Sequence, residues 1–192
     1  MRSLLLVASF SYCLTSYGAE AHAAGAGRVL KADEVSHALK SGRIEFVFHN
    51  VKSPDSCIGV ADGKVKNRAY VKQGECRAND LDQVWVVAPI QGPGEDYVEL
   101  QNAKNRKLCL AVEHGSQGRA DIMLGVCRGQ PDQKWTLPFV GVGPRASAAF
   151  IIKNAHKLCV GVEGGSTARA QLKQNTCRPV LDQAWFAQAF FI

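Results

Sequence analysis

The residues of this 192-residue sequence best placed to do chemistry are cysteines, carboxylates and arginines that recur at matched intervals. Cys57, Cys76, Cys109, Cys127, Cys159 and Cys177 form pairs 18 or 19 positions apart, and Cys13 stands alone near the start. A structural zinc site needs close pairs such as Cys-x-x-Cys, and no two of these cysteines are that close. An even set in an exported chain reads as disulfides, and the equal spacing predicts Cys57–Cys76, Cys109–Cys127 and Cys159–Cys177. Glu113 and Glu163 stand four residues after the first cysteine of their pairs, and Asp62 five after. Arg68, Arg119 and Arg169 share one position, while Arg77, Arg128 and Arg178 directly follow the second cysteine. Such a set can hydrogen-bond a polar or acidic sugar, or can form ion pairs on solvated turns.

Catalytic constellations are missing. His37, His49, His114 and His156 show neither an HExxH pairing nor a metal-ligand spacing. No serine sits in a Gly-x-Ser-x-Gly setting. With the six later cysteines oxidised, no thiolate nucleophile is left. The reading is a non-enzyme that needs neither cofactor nor metal.

These residues are positioned by a three-fold repeat. SCIGVADGKVKNRAYVKQGECRANDLDQVW, KLCLAVEHGSQGRADIMLGVCRGQPDQKW and KLCVGVEGGSTARAQLKQNTCRPVLDQAW align, with tryptophans at 85, 135 and 185 and a period of 50. Each repeat opens on an apolar stretch ending in Asn: FVFHN (46–50), YVELQN (97–102) and FIIKN (150–154). Phe46 and Phe48, and Val98 and Leu100, alternate with polar neighbours, the period of a half-buried strand. Asp62-Gly63 and Gly164-Gly165 are turn signals, and Val71, Ile122 and Leu172 suit an inward-facing strand. VVAPI, TLPFV and FAQAF follow the tryptophans, which gives about four short strands per repeat and about twelve in all. No repeat buries enough surface alone. Three nearly equivalent units closed around a three-fold axis leave no sheet edge, whereas a solenoid would need distinct capping repeats.

The motif Asp82-Gln83-Val84-Trp85, Asp132-Gln133-Lys134-Trp135 and Asp182-Gln183-Ala184-Trp185 resembles the Gln-x-Trp repeats of ricin B-chain type lectins, over roughly residues 44 to 192. The cysteine pairs are similar to that family's as well. The resemblance implies an all-β, pseudo-three-fold β-trefoil. Trp85, Trp135 and Trp185 are expected in its core, with the glutamines bracing the loop by hydrogen bonds to nearby backbone. Galactose-binding members carry an Asp two residues after the first cysteine, an aromatic ring before the second and a polar residue beside the Gln. Here those positions hold Gly59, Ala111 and Gly161, then Gly74, Gly125 and Asn175, and only Asp82, Asp132 and Asp182 survive. The standard site therefore does not carry over. The carboxylates kept after the first cysteine point instead to Glu113, Asp132 and Gln133 in repeat 2 and Glu163, Asp182 and Gln183 in repeat 3. Tyr70 and Tyr97 read as packing residues.

The ends bound the setting. Arg2, the apolar run Ser3 to Leu14 and Ala21-His22-Ala23 read as a signal peptide of residues 1–23. That run is shorter than the roughly 20 residues of a transmembrane helix. Residues 24–44 read as a linker, in which Val35, Ala38 and Leu39 suit a short amphipathic turn, and 45–192 as the repeat domain. The net charge of +6 is spread among acids, with no basic run of the kind a nucleic-acid binder concentrates. The expected protein is secreted and lectin-like, with glycans or glycosylated surfaces as partners and no nucleic acid. The alternatives are the cell-binding subunit of a multi-chain toxin resembling cytolethal distending toxins, or a trefoil inhibitor of a hydrolase. Without the Asp and the ring, lactose should not bind at sub-millimolar strength; calorimetric titration showing such binding would overturn that expectation.

Overall fold

The computed structural model describes residues 44–91, 96–144 and 147–189; the segments read from the sequence as a signal peptide and a linker lie, up to residue 43, outside the described residues. Repeat 1 folds as β1 (Ile44–Asn50), β2 (Ser56–Val60), β3 (Val71–Glu75) and β4 (Val84–Pro89). Repeat 2 follows as β5 (Val98–Asn102), β6 (Asn105–Val112), β7 (Ala120–Val126), β8 (Trp135–Thr136) and β9 (Phe139–Val142). Repeat 3 is β10 (Ala148–Ile151), β11 (Lys153–Asn154), β12 (Leu158–Val162), β13 (Ala170–Thr176) and β14 (Ala184–Ala189). The first strand thus begins one residue before the expected boundary.

All pairings are antiparallel. β1 lies between β4 and β14, β4 pairs β5, β5 pairs β8, β8 pairs β11, and β10 returns to β14, which closes a ring. The hairpins β2–β3, β6–β7 and β12–β13 cap one end of it. β13 pairs both β3 and β7, and a bridge from Tyr70 to Met123 completes the three-way junction. Fourteen strands are described where about twelve were expected. One extra break falls after β8, where Pro138 has no N–H to give to a ladder. The other falls at Ile152, whose carbonyl turns to accept from Val160 N at 2.9 Å.

The apolar alternation of the sequence faces this core. Phe46 and Phe48 are 1% exposed, and Val71, Ile122 and Leu172 are 0% exposed at their shared repeat position. The three tryptophans, each also 0% exposed, do the same thing three times. Trp85 Nε1 donates to Ile58 O at 3.0 Å, Trp135 Nε1 to Leu110 O at 3.0 Å and Trp185 Nε1 to Val160 O at 3.2 Å. Each indole thereby fills the barrel and ties a barrel strand to the hairpin of its own repeat, satisfying a buried donor. The disulfides pair within repeats, Cys57–Cys76, Cys109–Cys127 and Cys159–Cys177, and each is worth about 3 kcal/mol in the chain-entropy model. Truncating any one of the tryptophans to Ala should cost about 3–5 kcal/mol. Urea unfolding of Trp135→Ala with a loss below about 1 kcal/mol would contradict this core assignment.

Candidate functional site

Each repeat places an Asp-Gln turn beneath its hairpin. The turns Leu81–Gln83, Pro131–Gln133 and Leu181–Gln183 are single 3-10 turns. Gln83 Oε1 accepts from Arg77 N at 2.7 Å, and its Nε2 donates to Glu75 O at 2.7 Å. Gln133 does so with Arg128 N at 2.8 Å and Val126 O at 2.8 Å, and Gln183 with Arg178 N at 2.8 Å and Thr176 O at 3.1 Å. Both ends of every carboxamide are engaged by backbone, and all three side chains are buried. Their role here is to clamp the strand that carries the second cysteine.

The clamp explains the glycines. A Cβ on Gly59 would lie 2.8 Å from Gln83 Cγ, and one on Gly161 would lie 2.8 Å from Gln183 Cγ. A Cβ on Gly125 would meet Gln133 Nε2 at 2.9 Å. Three of the positions where galactose-binding members carry an Asp or a ring, Gly59, Gly125 and Gly161, are thus pressed against a glutamine side chain, whereas Gly74 faces open space. In repeat 1 the absence of side chains leaves a cleft of about 580 Å³ lined by Gly59, Gly74, Gln83, Lys72, Arg77 and Arg169 among others. The cleft carries both signs of charge, with Asp62 and Glu75 also on its walls.

The carboxylates singled out in the sequence sit on one-turn 3-10 elements, Ala61–Gly63, Glu113–Gly115 and Glu163–Gly165. Each holds two successive left-handed residues: Asp62-Gly63, His114-Gly115 and Gly164-Gly165. The sequence marked the first and third of these turns, and His114 (φ 54) hid the second. These turns pack on the Asp-Gln turns: a Cβ on Gly115 would stand 3.9 Å from Asp132, and one on Gly165 would stand 3.7 Å from Asp182. The structure therefore brings Glu113's turn to Asp132 and Glu163's turn to Asp182.

Charge pairs run between repeats. Arg169 meets Asp62 at 2.6 Å, and Arg119 meets Glu163 at 3.9 Å. Lys173 bridges Asp121 at 2.7 Å and Glu163 at 3.3 Å. Its hydrogen bond to Asp121 holds the ammonium above its ordinary pKa, and Arg169 holds Asp62 below the usual carboxylate range. Glu113 lies 3.8 Å from His114 Nε2. Tyr70, read as a packing residue, has 43% of its surface exposed.

The asparagines ending each opening strand were seen in the sequence without a role, and they prove to be joints. Asn50 Nδ2 donates to Asp182 O at 3.3 Å, and Asn102 Nδ2 to Asp82 O at 3.0 Å, each linking one repeat to the Asp-Gln turn of the preceding one. Asn154 Nδ2 donates within its own repeat to Gln174 Oε1 at 2.5 Å. Recurrence in three equivalent places was the available signal.

No family model matches the chain, and no curated protein matches its sequence. Solved structures do match in shape. The designed three-fold symmetric protein ThreeFoil superposes with a TM-score of 0.64 at 21% identity, over 75% of this chain and 97% of that one. The chain is a β-trefoil. An exo-β-1,3-galactanase from Clostridium thermocellum matches with a TM-score of 0.66 at 21% identity, over 78% of this chain and 30% of that one. The C-half of an earthworm R-type lectin, solved in complex with GalNAc, matches with a TM-score of 0.58 at 9% identity, over 76% of this chain and 98% of that one. The trefoil architecture is thus shared with glycan-binding lectins and with glycan-acting enzymes.

Among the three Asp-Gln turns, the repeat 1 aspartate stands apart. Asp82 is 1% exposed, accepts from Val60 N at 3.2 Å and meets Arg77 Nη2 at 3.1 Å. Burial comes first in pushing its pKa up to about 6, followed by its hydrogen bond with Asp80 and that neighbour's charge. The folded chain then holds this proton more tightly than the unfolded chain, whose carboxylates titrate near 4. Lowering the pH from 7 through 6 toward 4 therefore adds stability from this group, and raising it removes that stability. After allowance for screening and for sharing with Asp80, the contribution is about 1 kcal/mol. Asp82→Asn should flatten the pH dependence of thermal unfolding between about 4 and 6. An unchanged profile would show that Asp82 is ionised throughout that window.

Proposed function

We propose that the chain is a secreted carbohydrate-binding protein of the ricin-type lectin class, without catalytic activity. The observation that carries this reading is convergence. Two of the positions that the lectin resemblance assigns to sugar contact, occupied here by Gly59 and Gly74, line one cleft in repeat 1 that carries both signs of charge. Three disulfides suit an oxidising, extracellular setting. Among the described residues no helix is long and apolar enough to cross a membrane.

The sites in repeats 2 and 3 are carried by carboxylates. Glu113 with Asp132, and Glu163 with Asp182, supply acceptors for sugar hydroxyls, and Gln133 and Gln183 fix the turns that present them. Shallow sites repeated around one axis gain avidity on a dense glycan surface, because later contacts are intramolecular. A glycan array with the mature protein, followed by titration of the best hit, tests the reading. The double variant Glu113→Gln and Glu163→Gln should weaken binding about tenfold, the worth of one lost charge-assisted hydrogen bond. Unchanged affinity and thermal stability would remove those residues from the site, and an array without hits would end the lectin reading.

A second reading, the cell-binding subunit of a multi-chain toxin, draws on an exposed apolar strip. Phe139, Val140 and Val142 on β9 are 56%, 52% and 75% exposed, and Leu181 beside them is 58% exposed. With Val51 and Ile151, the residues Val140, Val142 and Leu181 line a second groove of about 410 Å³. This reading expects a second chain in the native complex that Val142→Glu releases. A native preparation containing this chain alone would count against it.

A further inference from the structure

The three disulfides match in loop length and in burial, and they differ in one neighbour. Position 49 on β1 faces Cys57 in register, and the matching positions opposite Cys109 and Cys159 are Gln101 and Lys153. His49 Nδ1 lies 3.5 Å from Cys57 Sγ and 3.4 Å from Cys76 Sγ. Its third contact is Pro54 O at 2.8 Å. A carbonyl only accepts, so Nδ1 carries a proton and donates it to Pro54 O, with both sulfurs within 3.5 Å of the same N–H group. The ring is held in place by stacking on Phe186, with centroids 4.8 Å apart and planes 12° apart.

Repeat 2 has the opposite arrangement. Gln101 Nε2 donates to Glu99 Oε2 at 3.1 Å, and a Glu99 carboxylate oxygen lies within 4.8 Å of the sulfurs of Cys109 and Cys127. One disulfide thus sits beside a proton donor and another beside a negative charge.

We propose that Cys57–Cys76 is a thiol-exchangeable disulfide, opened by a dithiol reductant ahead of the other two, with His49 stabilising the departing sulfur. Cys57 is 0% exposed and Cys76 is partly exposed, so attack from solvent falls on Cys76 Sγ. The attacking thiolate forms a mixed disulfide with Cys76. The Cys57–Cys76 bond breaks, and its electron pair leaves on Cys57 Sγ, toward the His49 Nδ1–H. The second thiol of the reductant, as its thiolate, then displaces Cys76 as a thiolate. The reductant ends as a disulfide, two electrons have passed to the protein, and the two new thiolates take up from solvent the two protons the reductant released, while His49 Nδ1–H hydrogen-bonds to Cys57 Sγ and keeps its own proton. A departing thiolate beside an imidazole N–H is the better leaving group, and one beside a carboxylate is the worse. This inference does not depend on the sugar-binding reading.

The test is pulse reduction of the native chain with limiting dithiothreitol at neutral pH, acid quenching, alkylation and peptide mapping. Cys57 and Cys76 should be labelled first, about fivefold or more ahead of Cys159 and Cys177, with Cys109 and Cys127 last. His49→Gln, which installs the residue repeat 2 holds there, should slow the first pair to the range of the others and leave their rates unchanged. Equal rates for all three pairs, or any other pair opening first, would overturn the proposal in the native chain without recourse to a variant. A His49→Gln chain that retains the ranking would overturn the role of the imidazole.

Discussion

The structure depends on a hydrogen bond made three times, from a buried indole N–H to a carbonyl on the cap hairpin of the same repeat. A tryptophan is large enough to fill a third of a small barrel's interior, but its N–H cannot be left unpaired there. The partners are Ile58, Leu110 and Val160, each the residue directly after the first cysteine of its repeat. The bond therefore fixes the height at which the cap hairpin sits on the barrel. Once that height is set, the disulfide joins the two hairpin strands and the glutamine clamps the second strand from below.

The same clamp shapes the surface above it. Small residues at positions 59, 125 and 161 follow from the space the glutamines occupy, and the missing side chains at Gly59 and Gly74 open the repeat 1 cleft. Symmetry then breaks through charge. Asp82 is buried and shares its environment with Asp80 and Arg77, whereas Asp132 and Asp182 are partly exposed. Around the axis, Arg169 and Arg119 each reach the turn of the next repeat, while Arg68 takes a left-handed backbone and donates its N–H to Leu124 O. Three copies of one backbone plan thus present three different surfaces.

Much of this was legible in the sequence. The Gln-x-Trp interval of 50, the matched cysteines and the alternation around Phe46, Val98 and Val71 led to a closed three-fold barrel with intra-repeat disulfides, and the fold has that form. Periodicity carries such information because each repeat faces the same packing problem. The breaks at Pro138 and Ile152 escaped, since a bend within a strand needs only one displaced hydrogen bond. The cleft in repeat 1 also escaped: it arises from absent side chains at Gly59 and Gly74, whereas carboxylates drew attention to repeats 2 and 3. The contact of His49 with two sulfurs could not be read either, because it depends on strand register between β1 and β2.

The most direct test of the central role of the indole bonds is hydrogen exchange of the three tryptophan side-chain N–H groups, followed by NMR on the native chain. If each indole locks a hairpin to the barrel, all three signals should exchange only through global unfolding. Their protection should then match the unfolding free energy measured by denaturant. Should any one of the three exchange by a local opening well below that energy, its hairpin would be held by something other than its tryptophan, and the account would fail for that repeat.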